Sequence, residues 1–447
     1  MGNSSSCEPL KERYTQKTMS STQDRVVVVS GVRTPFARAR TVFGSMPASM
    51  LGGVAIRETV ARSGIDPQLI DEIYFGIVSA PAEGSNTSRE SLFDSGLTPK
   101  IPCTTVNRYC ASSAEAVAGI AAKILSGQID IGLAGGVESI SSVRALFSLK
   151  ATNYFQDLAK AKTATQRLAL LSRFSPKLLA PQAPGINEPT TGLSMGQSAD
   201  LMARIFGVNR EDQDHYAVGS HLKAASAWER GFYRSHVVPV STPEGKVIDR
   251  DTDVRGDTSV DKIASLRPVF YKDGTISAGN ASPLTDGASC VMLMKESKAK
   301  ELQLPILGAI RGYAAAGVDI QKEPLLIGPV HAIPRALKSA GVQWSDIDLF
   351  EIHEAFAAQV LSTLKAIESP AYAREKLGLS EAIGVIDREK LNVNGGSIPL
   401  GHPFGATGGR LVLQTLHELR ARKKSLGLIS ICAAGGLGSV MIVEATH

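Results

Sequence analysis

The chain has 447 residues, long enough for roughly three domains and a sizeable core without covalent staples. Hydrophobic residues make up 43% and charged residues 20%, which excludes wholesale disorder. Net charge is only +5 and aromatics are 5%, so no basic arm or base-stacking surface marks nucleic-acid binding, whereas a mild positive balance suits an anionic small molecule.

Residues 1–23 are polar and aperiodic and read as a flexible tail. They open Met1-Gly2-Asn3-Ser4-Ser5-Ser6-Cys7, which fits an N-myristoylation signal at Gly2, with Cys7 able to carry a second acyl chain. The alternatives are a Ser-rich tail without a role, or translation from Met19. Arg25–Ser30 is a continuous apolar run, the mark of a strand buried on both faces. Helical periodicity over Met50–Arg62 ends at Ser63-Gly64, and Ile73–Val78 is a second buried strand. Helices alternating with buried strands predict an α/β sheet.

The pattern then repeats. Gly64, Ile70 and Asp71 are matched in order and spacing by Gly341, Ile347 and Asp348. Val106-Asn107 precedes a helix and the strand Gly132–Gly136, as Val393-Asn394 precedes a helix and the run Ala433–Gly436. Two echoes in one order predict a duplicated α/β domain. The expected division is 24–150 completed by 270–299, a loop or cap domain over 151–269, and a second half over 300–447. Within the cap, 150–177 carries Lys150, Lys160, Lys162, Arg167, Arg173 and Lys177 against Asp157, interleaved with leucines. That is a basic amphipathic helix suited to a membrane surface or a partner, or else one packed on its own domain. Leu426–Val443 is uncharged over the length of a short membrane span, but its four glycines favour two buried strands joined by a turn.

The chemistry-bearing residues follow. Cys110, in VNRYCASS, stands at the start of an Ala-rich helix expected over 111–126. The helix dipole there favours thiolate, and cysteines in such settings have pKa values of about 3.5–7.5. His402, in NGGSIPLGHPFGATG, sits in a rigid turn from which it could activate a thiol or donate to an oxyanion. Cys432 precedes a glycine cluster whose free N–H groups are raw material for an oxyanion hole. His353-Glu354-Ala355-Phe356 follows a strand, where α/β sites form. Cys103 and Cys290 read as small core residues. Five cysteines without a CxxC pair argue against a disulfide framework and a structural zinc site.

VNRYCASS (106–113), TISAGNASPLTDGA (275–288), HEAF (353–356), NVNGGSIPLGHPFGATG (392–408) and CAAGGLG (432–438) together resemble the thiolases over roughly residues 25–447. His353, where most thiolases have Asn, and the basic stretch after residue 150 resemble the trifunctional-enzyme β-subunit branch. The resemblance implies two similar halves in a five-layered α/β thiolase fold with an inserted loop domain. It implies a 3-ketoacyl-CoA thiolase of fatty acid β-oxidation that needs no metal or redox cofactor, with coenzyme A as substrate. Cys110 would be the nucleophile, His402 its activator, Cys432 the acid and base, and His353 the holder of a water at the enolate oxygen. Backbone amides of Cys110 and Ala434 would form a second oxyanion hole, and Ser282 and Arg255 would lie near pantetheine and nucleotide. It also implies a homodimer or tetramer, a hydratase/dehydrogenase α-subunit as partner, and a mitochondrial location; membrane association through an acylated Gly2 is the alternative. A biosynthetic acetoacetyl-CoA thiolase, a ketosynthase-like condensing enzyme and a non-enzymatic acyl-CoA-binding scaffold are the competing functions. Cys432 argues against the ketosynthase, and the intact motifs argue against the scaffold.

Overall fold

The computed structural model of the chain describes residues 24–81, 84–144, 146–181 and 187–447. The lipidation candidates Gly2 and Cys7 lie outside the described residues. The main strands are β1 (Val26–Arg33), β2 (Glu72–Gly76), β3 (Cys103–Val106), β4 (Ile131–Glu138), β5 (Thr285–Lys295), β6 (Gly308–Gly317), β7 (Leu349–Ile352), β8 (Leu426–Ala433) and β9 (Leu437–Ala445). The main helices are α1 (Ala48–Ser63), α2 (Thr87–Ser95), α3 (Ser112–Leu125), α4 (Leu149–Lys160), α5 (Ala164–Leu171), α6 (Met195–Phe206), α7 (Arg210–Glu229), α8 (Gly328–Ala340), α9 (Ala357–Glu368) and α10 (Thr407–Arg422).

The strand order is β7-β8-β9-β6-β1-β5-β4-β2-β3. Read outward from the centre, one half runs β1-β5-β4-β2-β3 and the other β6-β9-β8-β7, the same succession of equivalent strands. A parallel bridge between Phe350 and Leu391 stands where β3 stands in the first half. The halves join edge to edge, where Val27 and Val28 pair antiparallel with Ala309 and Gly308. The echoed aspartates do the same work in both halves. The Asp71 carboxylate accepts the amides of Asp130 (2.8 Å) and Ile131 (3.0 Å). Asp348 accepts those of Ser425 (2.9 Å) and Leu426 (3.0 Å). Each ties the entry of one strand to the entry of its parallel neighbour.

Side-chain alternation builds the layers. On β1, Val27 and Val29 pack outward with Leu51 and Ile56 of α1, while Val26 and Val28 face inward with Val117 and Ile120 of α3. On β9, Val440 and Ile442 pack outward with Val330 of α8 and Val360 of α9, while Met441 and Val443 face inward with Leu411 and Leu416 of α10. Helices α3 and α10 therefore lie side by side between two half-sheets, each covered outside by further helices: five layers. The uncharged run near the C-terminus is the β8–β9 hairpin, turned by Gly435 and Gly436 at φ +74° and +71°. Among the described residues no helix is long and apolar enough to cross a membrane.

The stretch 150–177 forms two short helices, α4 and α5, rather than one. A capping box of Thr163 and Gln166 starts the second and so interrupts the first. Leu149 (76% exposed), Leu168 (70%) and Leu171 (54%) stand in solvent on this hairpin.

The segment between the halves is fastened to β1 by a fully buried ion pair. Arg33 Nη1 and Nη2 donate to Asp251 Oδ1 (2.6 Å) and Oδ2 (2.8 Å), and Asp251 also accepts Phe36 N (2.7 Å) and Trp228 Nε1 (3.1 Å). Removing one partner of a buried pair strands the other charge. Asp251→Asn is expected to lower unfolding free energy by about 3–5 kcal/mol, read from urea melts at fixed protein concentration. A loss below about 1 kcal/mol, the range of an exposed pair, would show that the clamp is solvated.

Candidate active site

Cys110 leaves β3 by a tight turn and stands two residues before α3. Tyr109 takes φ +47°, unusual for a bulky residue, and a strained conformation of this kind costs about 1–3 kcal/mol. The turn is held by Tyr109 N donating to Asn107 Oδ1 (2.9 Å), Arg108 N to Ser112 Oγ (2.9 Å) and Ser112 Oγ to the Tyr109 carbonyl (2.6 Å). Its effect is to push the Cys110 thiol out of the helix and into the space between the halves.

The second half supplies what surrounds that thiol. The donor atoms of Cys110, His353 and His402 all lie within 4.8 Å of one another. The imidazoles of His353 and His402 are tilted at 49°, with centroids 4.1 Å apart. His353 Nδ1 meets Ser397 Oγ (2.9 Å) and His402 Nδ1 meets Thr407 Oγ1 (2.7 Å). Both Nε2 atoms are buried without a protein partner. Sulfur and imidazole ligands so grouped also have the donor types of a zinc site. Cys432, one residue before the end of β8, is close enough for the Cys110 sulfur to raise its pKa further, and the Ala434 amide favours the Cys110 thiolate. That amide is aimed by the glycine turn after it, which Glu188 holds by accepting Gly435 N (2.9 Å).

Burial sets the protonation states, and here the structure departs from the sequence reading. The Cys110 thiol is pushed up to about 12, not down: loss of water outweighs the two backbone amides that favour thiolate, its own and that of Ala434, and the Glu138 carboxylate opposes them. A helix start predicts thiolate only where the sulfur stays hydrated or meets a cation. Burial and the Arg410 charge bring His402 down to about 3. Burial, His402 and Arg410 bring His353 well below its usual value. Burial, with the Cys110 sulfur, pushes Cys432 well up. At neutral pH the free site therefore holds neutral thiols and neutral imidazoles.

The loops are locked by two carboxylates to which sequence reasoning gave no role. Glu138 accepts the amides of Val78 (3.1 Å), Ser79 (2.8 Å) and Gly405 (2.9 Å), fastening the His402 turn to the first half. Glu354 accepts Tyr216 Oη (2.9 Å), Ser220 Oγ (2.8 Å), Asn392 Nδ2 (2.8 Å) and Ile398 N (3.1 Å). Glu354 was visible in HEAF, but four partners from distant segments leave no local signal; Glu138 had no motif around it.

A cleft of about 320 Å³ opens beside the site, with Arg38, Arg255 and Lys262 on its wall and Ala281, Pro283 and Ile398 towards the histidines. The Pro283 carbonyl accepts His402 N (3.2 Å), so the cleft wall continues into the reactive turn. Arg255 is exposed at the mouth, and its amide donates to His221 Nδ1 (3.2 Å). Ser282 lies between two lining residues, with its amide (3.0 Å) and hydroxyl (3.1 Å) both donating to the Ala355 carbonyl. Cys103 is half-buried on β3 and Cys290 is buried on β5, both away from this constellation.

The thiolase N-terminal domain family matches residues 26–297 and the thiolase C-terminal domain family residues 304–445. A 3-ketoacyl-CoA thiolase of Yersinia enterocolitica is 45% identical over 423 residues, covering 94% of this chain and 97% of that protein. One from Pectobacterium atrosepticum is 45% identical over 425 residues, covering 95% and 97%. The crystal structure of a Bacillus anthracis acetyl-CoA acetyltransferase superimposes with a TM-score of 0.80 at 32% identity, covering 96% of this chain and all of that one. These relatives are bacterial, and bacteria have no mitochondria, so the mitochondrial location expected from resemblance is overturned. The paired domains, the likeness along nearly the whole length and the two-cysteine, two-histidine centre have one common reading: the chain belongs to the thiolase family of acyltransferases.

Proposed function

We propose that this chain cleaves 3-ketoacyl-CoA with coenzyme A, giving acetyl-CoA and a shortened acyl-CoA, in the manner of fatty acid β-oxidation. The observation that carries the reading is the Cys110 thiol, met by the Ala434 amide on one side and grouped with two unpartnered imidazole nitrogens on the other.

Cys110 Sγ attacks the 3-keto carbon as His402 takes its proton; with a thiol pKa near 12, proton and bond move together. The C2–C3 bond breaks, its electrons enter the acetyl-CoA enolate, and the enolate oxygen is held by His402 and by a water on His353. Cys432 gives its proton to the enolate carbon and becomes thiolate. Acetyl-CoA leaves. The acyl oxygen of the Cys110 thioester rests against the amides of Cys110 and Ala434. Coenzyme A enters, Cys432 takes its thiol proton, and the CoA sulfur displaces Cys110, which recovers its proton from His402. Arg255, with Arg38 and Lys262, receives the phosphates at the cleft mouth, and Ser282 borders the pantetheine arm. The working groups come from 24–150 with 270–299 and from 300–447, with 151–269 covering the cleft. Assembly is a homo-oligomer of such subunits. The α4–α5 hairpin, with exposed leucines among basic side chains, gives a membrane contact, and a hydratase/dehydrogenase subunit is the partner of this branch.

Steady-state assays on folded variants test the chemistry. Cys110→Ser is expected to abolish both thiolysis and acyl-enzyme formation. Cys432→Ser should lower kcat by about 10²–10⁴-fold while leaving Cys110 open to iodoacetamide; a near-normal kcat would reject the acid–base role. Alkylation of Cys110 should climb with pH, because thiolate forms only as pH approaches the raised pKa. We expect about tenfold per pH unit between roughly pH 6.5 and 9, and a plateau would reveal a resting thiolate–imidazolium pair. Vesicle sedimentation tests the hairpin: binding to anionic vesicles should exceed binding to neutral ones and fall with salt. Charge reversal at Lys150 and Arg173 should remove it. Equal binding to both vesicle types would exclude the membrane contact.

A further inference from the structure

The two unpartnered Nε2 atoms face one space, yet the hydroxyls behind them are wired differently. Thr407 Oγ1 donates its single proton to the Pro403 carbonyl (3.1 Å), an oxygen that can only accept. Toward His402 Nδ1, 2.7 Å away, Thr407 is therefore an acceptor. With the Thr407 proton on that carbonyl, His402 carries its own on Nδ1 and its Nε2 is a bare lone pair.

Behind His353 the polarity is reversed. Ser397 Oγ accepts Arg410 Nη2 (2.9 Å), and a guanidinium can only donate. Among the described residues the other partner of Ser397 Oγ is His353 Nδ1 (2.9 Å). Ser397 is fully buried, so a hydroxyl proton aimed elsewhere would be orphaned at a cost of about 1–3 kcal/mol. With the Ser397 proton directed at His353 Nδ1, the His353 proton sits on Nε2. Arg410 is itself buried, held by Gln414 Oε1 (3.1 Å), and its fixed charge makes the relay one-directional.

We propose that Thr407 and the Ser397–Arg410 pair are positioning residues that hold the two imidazoles in opposite tautomers, so that His402 presents an acceptor and His353 a donor to the same point. Neither hydroxyl reaches the reacting atoms. Each acts through the ring in front of it, as an outer hydrogen bond selects the working nitrogen of a histidine. A base and an oxyanion donor thus stand side by side, both neutral, and a proton taken by His402 does not raise the charge of its neighbour. The kinetic consequences rest on the thiolysis reading; the tautomers do not.

Nitrogen-15 spectra of histidine-labelled protein report the tautomers directly, with His353→Asn and His402→Asn assigning the signals. We expect Nδ1–H at His402 and Nε2–H at His353 in the wild type. The same tautomer at both, or the reverse pair, overturns the proposal whether or not the protein turns over substrate, so its failure is distinct from failure of the thiolase reading. Two rates then separate the hydroxyls. Exchange of labelled CoA into an acyl-CoA passes through acyl-Cys110 without making an enolate, whereas full thiolysis makes one. Thr407→Val should slow both about tenfold or more, with Thr407→Ser restoring them. Ser397→Ala should slow thiolysis about tenfold or more and leave exchange within about twofold, with Ser397→Thr restoring thiolysis. His353→Asn keeps an N–H donor and should stay within about tenfold of wild-type kcat, while His353→Ala should lose about 10²–10³-fold. Equal slowing of exchange and thiolysis by Ser397→Ala, or a His353→Asn enzyme as poor as His353→Ala, would overturn the assignment of roles. If a valine or alanine variant fails to fold, the wild-type spectra decide alone.

Discussion

Helices α3 and α10 run side by side between the half-sheets, and each begins at a reactive turn, one carrying Cys110 and the other His402. The contact admits no extra atom. A Cβ on Gly408 would stand 2.5 Å from the Ala114 nitrogen, and beside it, where β4 meets the turn before α10, one on Gly136 would stand 2.0 Å from the Gly405 carbonyl. Backbone meets backbone, and the interhelical distance fixes where the thiol stands relative to the imidazoles. The carboxylates of Glu138 and Glu354 then lock the loops: Glu138 bridges the halves by accepting Gly405 N beside the amides of Val78 and Ser79, and Glu354 ties the second half to the covering segment through Tyr216 and Ser220.

Dryness is the second organising condition. The same burial that lifts both thiols lowers both histidines, so the resting centre avoids the cost of isolated ions. On the proposed thiolysis, charge develops only when a substrate carbonyl arrives, at atoms faced by fixed donors. A hydrated thiolate would attack sooner but would also react with any electrophile that reached it. On that reading, a neutral centre couples reactivity to occupation of the cleft.

Much of this was legible in the chain, for identifiable reasons. Asp71 and Asp348 repeat because each caps the entry of a strand pair, a local job that leaves a local pattern. Cys110, His402 and Cys432 stand in turns whose small residues are required by close approach, and that requirement is written in sequence. Cys103 and Cys290, with no such context, lie away from the centre. Ser397, Thr407 and Arg410 were not legible as working groups. Their contribution is the direction of a hydrogen bond, which depends on what stands behind the hydroxyl in space. The upward push on the Cys110 pKa is not legible for a related reason: helix position is readable along the chain, while desolvation of the thiol depends on both halves together. The single helix expected over 150–177 is broken at Thr163, whose capping box with Gln166 starts a second one.

The placement of β5 carries a cost in assembly. This strand lies between β1 and β4, pairing with both, yet it follows them in the chain only after the whole covering segment. Loop closure over so long a span is slow, and a sheet built on distant pairs has high contact order. On a ribosome adding about 5–20 residues per second, β1 waits on the order of 10–50 s for its central neighbour. During that interval its apolar faces and open edge stand exposed, a ready substrate for chaperones or for premature association with another nascent chain. The second half has a shorter delay, because far fewer residues separate β6 from β9, and β8 and β9 close their hairpin at once.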